Sequence, residues 1–446
     1  MLLKRYINNI SGLQFFHLSR FLSFLIISVV FTKSHLNAKQ IGDFEILIFI
    51  ASAVSFFWIT GIVQSLLTLY NNNNIFPGIK DINYKSPEIF NTFLLILIFN
   101  TFIFILGHSL KNNIYVYSEI KSIPFVNLLL LYILLNNPTH LIEYIYVLRN
   151  KSHLLFWYTI ITFSIQLILV ILPIVMGYGI KPAFIGLILI SGIRFIWLLA
   201  LIYKYALFRF SWKFMKIHLN IGYPLIISTL LSGSAQYIDG ILVANNFNAR
   251  DFAFFRYGAK EFPLVVMLAS GLHSGMIPEF AIITNFKNAL YRIRQKSKRL
   301  INSLFPITII LLLTANWIFV NLFNPDFRRS ADIFMIYLLL IISRLLFPQT
   351  ILIGLKKTRI VMISSFVEII LNIILSLIFI GIYGLQGVVV ATAIIYLIGK
   401  IVLITYIYVK LGIKPNEYIP VRLHLTYSII LVALFVLIDH RIIWFY

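Results

Sequence analysis

Thirteen runs of about 20 mostly apolar residues divide this sequence, and they limit its fold more than any other feature. A helix needs about 20 such residues to cross a bilayer core of about 30 Å. Because backbone N–H and C=O groups cannot stay unpaired in lipid, each run predicts a membrane-spanning α-helix. The runs cover residues 10–32, 44–69, 89–107, 122–146, 153–175, 181–203, 221–244, 257–281, 301–323, 332–354, 360–380, 384–408 and 423–438. The sequence therefore predicts an all-α polytopic membrane protein, with a short thirteenth helix that ends at charged residues.

The composition agrees with this class and excludes several others. Hydrophobic residues make up 60% of the chain and charged residues only 12%, about half the share in soluble domains. There is no cysteine, which excludes disulfides and thiolate chemistry. The formal net charge is +22, but the basic residues are spread over many short loops, so we expect no nucleic-acid partner. No HExxH, GxSxG or glycine-rich phosphate loop occurs, so we also expect no metal, no cofactor and no catalytic residue.

The lysines and arginines of the loops set the predicted orientation. With the N-terminus in the cytoplasm, the inner loops hold about twice as many of these residues as the outer loops. A short basic tip precedes the first run without a small-residue cleavage pattern after it, so we expect that run to be retained. The basic segment 282–300 predicts an amphipathic helix at the cytoplasmic membrane surface, with a gating or partner role as the alternative.

Three pairs of short motifs recur at nearly the same separation and predict an internal repeat. Asn37-Ala38-Lys39 matches Asn248-Ala249-Arg250, Leu148-Arg149-Asn150 matches Leu355-Lys356-Lys357, and Tyr178-Gly179-Ile180 matches Tyr383-Gly384-Leu385. An even number of spans per repeat gives both halves the same orientation, and in such folds the substrate binds between the halves. We therefore predict lobes of six helices at 1–205 and 206–410, followed by an extra membrane helix in 411–446.

Residues 221–281 carry the motifs of a known family. Tyr237-Ile238-Asp239 is followed by Phe255-Arg256-Tyr257-Gly258-Ala259, then Pro263, then Met276-Ile277-Pro278-Glu279-Phe280. In this pattern the chain resembles the lipid-linked oligosaccharide flippases, Wzx type, of the multidrug/oligosaccharidyl-lipid/polysaccharide (MOP) exporter superfamily. Ile41-Gly42-Asp43-Phe44 is similar to the first-half counterpart of these motifs.

The resemblance implies a fold, a substrate and a location. The fold would be a MATE-like, V-shaped pair of six-helix lobes. The substrate would be an undecaprenyl-pyrophosphate-linked oligosaccharide, moved by alternating access from the cytoplasmic to the periplasmic leaflet of a bacterial inner membrane for O-antigen, capsule or exopolysaccharide assembly. Membrane lipids, and the polysaccharide polymerase or chain-length machinery, would be its partners.

An anionic pyrophosphate calls for cations at membrane depth. The candidates are Arg20, with His17 one turn before it, Lys260 with Arg256 at i−4, and Arg344. For Arg20 the alternative is an ion pair with an acid of a neighbouring helix, and for Arg256 it is contact with outer headgroups.

Four other residues are candidates for ion coupling, because intramembrane ionisable groups mark ion pathways. Asp239 and Glu261 predict a proton or cation site, unless Asp239 neutralises Lys260 or Arg256. Glu143 falls on one helical stripe with His140, where coupling and simple packing both fit.

One further pair of charged residues has a structural interpretation. Glu368 and Lys400 share a predicted depth on adjacent helices and predict a structural ion pair, and Arg194 is the repeat mate of Lys400.

Three other functions stay open at this point, and one of them is flipping of the peptidoglycan precursor, which the family pattern fits less well. An ion-coupled drug or cation antiporter on the same fold predicts an acidic cavity. A membrane polysaccharide polymerase or ligase predicts a large outer loop with catalytic side chains, whereas the outer loops here are short.

Overall fold

The computed structural model describes residues 9–70, 85–114, 125–281, 286–355 and 357–440, and these ranges are helical with no β-strand. Ten of their helices are long and apolar enough to cross a membrane, and a bent pair over 325–354 would make eleven. The predicted fold class, an all-α multi-pass membrane protein, is confirmed. The C-terminal helix, Val421–Asp439, is among the ten.

The chain forms two compact units. Unit 1 comprises Met1–Gly233 with Asn248–Arg250, and unit 2 comprises Ser234–Phe247 with Asp251–Tyr446. The helices of the first half are α1 (Asn9–Thr32), α2 (Ala38–Leu69), α3 (Pro87–Ile114), α4 (Val126–Thr139), α5 (Leu141–Leu148), α6 (Ser152–Val175), α7 (Ile180–Tyr205) and α8 (Trp212–Asn246). Those of the second half are α9 (Ala249–Gly258), α10 (Pro263–Ala281), α11 (Phe286–Leu322), α12 (Arg328–Leu338), α13 (Ile341–Arg344), α14 (Pro348–Gly354), α15 (Thr358–Tyr383), α16 (Leu385–Leu411), α17 (Pro415–Tyr418) and α18 (Val421–Asp439). Helices α8 and α9 have residues in both units.

The three repeated motifs all stand at helix starts. Asn37 and Asn248 precede α2 and α9, and Gly179 and Gly384 precede α7 and α16. Asn37 also forms a capping box with Gln40, so its side chain and backbone satisfy the first turn of α2. The third pair precedes α6 and α15, although Lys356 lies outside the described residues. Each of the repeated motifs therefore precedes a helix, although Gly179 and Gly384 differ in φ, −78° against +59°.

The run at 122–146 is not one helix. It ends as α4 at Thr139 and restarts as α5 at Leu141. Pro138 has no N–H to donate to the carbonyl of Leu134 one turn earlier, and the side chain of Asn100 donates to that carbonyl instead, at 2.7 Å. The polar residues Asn136, His140 and Glu143 therefore lie around a helix break, and all three still face the same side.

Two more predicted spans are interrupted in the second half. The run at 257–281 ends as α9 at Gly258 and resumes as α10 at Pro263, which begins a new helix because its fixed φ suits the first turn. The run at 332–354 is split into α12, α13 and α14, and Pro348 starts the last of these. Both predictions of a continuous helix are wrong.

The basic segment after residue 285 is the beginning of α11, which is 37 residues long. Ala289, Leu290 and Ile293 are buried on one side of it, while Lys287 and Arg294 are exposed on the other. The amphipathic helix that the sequence predicts is therefore present, in one piece with the span that follows, whereas residues 282–285 lie outside the described part of the chain.

Close packing of α6 against α7 depends on Gly186. A Cβ atom at this position would collide with the backbone carbonyl of Leu169 on α6, which cannot swing away as a side chain would. We expect Gly186→Ala to lower the free energy of unfolding by about 1–3 kcal/mol, as overpacking does. Equilibrium unfolding in detergent micelles measures this. The matched control is Gly192→Ala on the same helix, where no atom lies within 4 Å and the substitution should be neutral or slightly stabilising.

Candidate functional site

Unit 1 contains a polar cavity between α1, α4, α6 and α7, and residues at the break before α5 also line it. Its volume of about 30 Å³ holds about two water molecules. Aromatic and aliphatic side chains form part of the wall. The polar residues that line it are Arg20, Asn136, Thr139, His140, Glu143, Gln166, Ser191 and Arg194.

Arg20 reaches this cavity from α1. The sequence predicted that Arg20 faces a crevice between two bundles, but every residue that lines its cavity belongs to unit 1. Among the described residues, no hydrogen bond or ion pair holds its guanidinium, so the alternative of a neighbouring acid as its direct partner is not realised. His17 is exposed, does not line the cavity, and packs its ring edge-on against Phe16.

Arg194 enters the same cavity from α7. Its guanidinium donates to Oε1 of Gln166 on α6 at 2.9 Å and stacks over the ring of Phe163 at 4.7 Å. Gln166 is 1% exposed, and its Nε2 has no hydrogen-bond partner. Burying an amide N–H without a partner is unfavourable, because its hydrogen bonds to water are lost and not replaced.

Glu143 and His140 face each other across the helix break. Glu143 is 2% exposed, and its Oε1 lies 3.7 Å from Nδ1 of His140, too long for a good hydrogen bond. The two cations and one carboxylate make the cavity net positive by one charge when His140 is neutral. The structure thus adds Arg20 and Arg194 to the pair of His140 and Glu143 that the sequence placed on one stripe.

Unit 2 holds a second polar cluster around Asp239, which is fully buried. Its Oδ1 accepts from Nδ2 of Asn372 at 3.0 Å, and its Oδ2 accepts from the hydroxyls of Thr392 at 2.7 Å and Tyr337 at 3.1 Å. These partners come from α12, α15 and α16. Asp239 is satisfied by three neutral donors, so the interpretation that it neutralises Lys260 or Arg256 is wrong.

Glu261 is paired with Arg344 rather than with Asp239. Nε of Arg344 donates to Oε2 of Glu261 at 2.8 Å, and a terminal nitrogen donates to Oε1 at 2.5 Å, which is a bidentate pair. The same guanidinium lies over the ring of Tyr396, 5.0 Å from its centroid. Arg344 is therefore a structural partner of Glu261 in this conformation, not an open cation.

Lys260 lies in the four-residue break between α9 and α10. It is half-buried, and its ammonium lies 5.0 Å from the centroid of the Tyr257 ring. Arg256 is on α9 before the break, so the predicted i, i+4 stacking of the two cations along one helix is wrong.

The predicted ion pair between Glu368 and Lys400 does not form. Nζ of Lys400 donates to Oε1 of Gln349 at 2.7 Å, while Oε1 of Glu368 accepts from the hydroxyl of Ser364 on its own helix. Lys400 in unit 2 and Arg194 in unit 1 thus each donate to the amide oxygen of a glutamine.

Sequence reasoning missed the neutral members of both clusters. Gln166, Asn372 and Thr392 each interrupt an apolar span with a polar group, and this was a usable signal. The candidates named from the sequence are ionisable residues, and the neutral donors that complete each cluster are not among them.

Two protein-family models match the sequence, and both carry the description polysaccharide biosynthesis protein. One matches residues 46–331 and the other matches residues 281–446. The first match alone covers well over half of the chain. Among curated proteins, none matches this sequence.

Solved structures show the same fold at low identity. Lipid II flippase MurJ in an inward closed conformation is 19% identical, with a TM-score of 0.67 over 97% of this chain and 93% of its own. An inward-facing multidrug resistance MATE family transporter of the MOP superfamily is 13% identical, with a TM-score of 0.64 over 88% of this chain and 94% of its own. A MOP superfamily transporter from Pyrococcus furiosus is 13% identical, with a TM-score of 0.58 over 90% and 94%. At these identities the likeness shows the fold.

Proposed function

Since the chain belongs to the polysaccharide biosynthesis protein family, we propose that it is a flippase for lipid-linked oligosaccharides. The family match carries this proposal, because it covers most of the chain and concerns polysaccharide assembly. The MOP-type fold supports it, since MurJ, whose structure is similar over 97% of this chain, is a lipid II flippase. The substrate class is an oligosaccharide repeat unit joined through pyrophosphate to undecaprenol.

In the proposed cycle, the chain moves the head group from the cytoplasmic to the periplasmic leaflet of the bacterial inner membrane by alternating access. The polyprenyl tail stays in lipid, and a path lined by cations carries the phosphates. Arg20 and Lys260 are the proposed cations, because the first has no ion-pair partner among the described residues and the second lies in a helix break. A break in a spanning segment suits a moving gate, since fewer backbone hydrogen bonds hold it.

The sidedness of the lipid-linked oligosaccharide tests the function directly. Cells without this protein should accumulate the intermediate in a form that an added glycosidase or lectin reaches only after the inner membrane is opened. An intermediate that remains accessible from outside in those cells would overturn the proposal.

We expect Arg20→Ala and Lys260→Ala each to lower glycan export about tenfold or more, since a charge-assisted hydrogen bond to phosphate contributes about 1.5–3 kcal/mol. Quantified surface polysaccharide, normalised to the amount of protein in the membrane, measures this. Arg359→Ala, at an exposed position on α15, is the matched control and should export normally. Normal export by both the Arg20 and the Lys260 variant would remove these residues from the path.

An ion-coupled drug or cation antiporter is the second candidate, favoured by Asp239, whose buried carboxylate is surrounded only by neutral donors. Drug resistance on overexpression with unchanged surface glycans would favour this function. In either case we assign ion coupling to Asp239, and to Glu143 with His140.

A further inference from the structure

The unit 1 cavity contains a hydrogen-bond donor that nothing in the described chain satisfies. Nε2 of Gln166 is buried without a partner, while Oε1 of the same amide is occupied by Arg194. Turning the amide over would place its NH2 group against the guanidinium, so the orientation is fixed. We therefore expect the cavity to hold a group that accepts a hydrogen bond from Nε2 of Gln166.

The charge of the cavity identifies what kind of acceptor fits. Arg20 and Arg194 contribute two positive charges, and Glu143 contributes one negative charge. His140 and the hydroxyls of Tyr132 and Tyr158 add none in their neutral forms. Two guanidinium groups stand against one carboxylate here, so an acceptor that carries a negative charge fits this cavity better than a neutral molecule or a cation.

The size of the cavity limits that anion. About 30 Å³ holds about two water molecules, which is enough for one monatomic anion but not for a pyrophosphate with its attached sugar. A pyrophosphate with its sugar would extend beyond the cavity, so the ligand that fits inside is a smaller anion.

We propose that the unit 1 cavity is a binding site for a small monovalent anion of the size of chloride. The anion accepts hydrogen bonds from Nε2 of Gln166 and from the guanidinium groups of Arg194 and Arg20. It completes the polar cluster and balances the charge. Arg20 also belongs to the proposed path of the phosphates, whereas Gln166 and Arg194 belong to this site alone.

The test is anion-dependent thermal stability of the full-length protein in detergent. Sodium chloride or bromide is exchanged for sodium gluconate at constant ionic strength, since gluconate is too large for the cavity. The melting temperature should rise with the logarithm of the chloride concentration above the dissociation constant. Equal melting curves in chloride and gluconate would show that water alone fills the cavity and would overturn the proposal.

Two variants of Gln166 assign the response to this site. Gln166→Leu removes the free donor and should weaken the apparent chloride affinity about tenfold, the loss expected for one hydrogen bond to a charged group. Gln166→Glu places a carboxylate beside Arg194, so it should be as stable in gluconate as the unmodified protein is in chloride, and it should no longer respond to chloride. Because this variant retains or gains stability, a failure to fold would not imitate the expected result.

Gln349→Leu is the matched control, since Gln349 accepts from Lys400 in unit 2 as Gln166 does from Arg194. Its chloride response should equal that of the unmodified protein. A bromide-soaked crystal should show anomalous density beside Nε2 of Gln166. A chloride response that persists in both Gln166 variants, or bromide found only at the surface, would contradict the site.

Discussion

Replacing Arg344 with alanine is expected to lower the free energy of unfolding by about 3 kcal/mol. The reason is Glu261, which would remain as an unpaired carboxylate after its bidentate partner is lost. Breaking a buried pair from one side costs about 3–5 kcal/mol, and the lower end applies because both side chains keep some exposure. Equilibrium unfolding in detergent micelles measures the change.

The double variant Glu261→Gln with Arg344→Gln separates a structural role from a transport role. Two amides can still hydrogen-bond at this site, and no unpaired charge remains, so most of the stability should return. Export should return with it if the pair only joins the break before α10 to α13. If Arg344→Ala keeps full stability but loses export, Arg344 is a substrate cation, as the sequence predicted.

Most of the spans were predictable because they depend on local properties. An apolar run needs only its own length to indicate a helix, and the motifs around Gly179 and Gly384 both precede one. The breaks were not predictable in the same way. Pro138 lies inside α4, and only the side chain of Asn100, from a different helix, compensates for its missing N–H.

The site residues show the same division. Position along a span identified Arg20, Glu143 and Asp239 as unusual, because ionisable residues at membrane depth are rare. Their neighbours could not be read from the sequence, since Gln166 and Arg194 line the cavity of Arg20 from other helices and Tyr337 donates to Asp239 from α12. Matched depth alone suggested that Lys400 binds Glu368. The ammonium of Lys400 instead donates a hydrogen bond to the amide oxygen of Gln349.

Replacing Asp239 with asparagine is expected to abolish most glycan export while leaving the fold intact. The amide oxygen of asparagine can accept from Asn372, and its NH2 group can donate to the hydroxyls of Tyr337 and Thr392, because a hydroxyl both donates and accepts. Unfolding should therefore change by no more than about 1 kcal/mol. Export should fall about tenfold or more, since the proposed coupling to a cation or proton requires a carboxylate.

The control for this substitution is Asp439→Asn, which makes the same change at an exposed position at the end of α18 and should leave export unchanged. Asp239→Leu is the opposite comparison, because it leaves Asn372, Tyr337 and Thr392 without their shared acceptor and should reduce both stability and export. If Asp239→Asn exports at the normal rate, the carboxylate serves only to hold α12, α15 and α16 around α8. Ion coupling would then depend on Glu143 and His140 in unit 1.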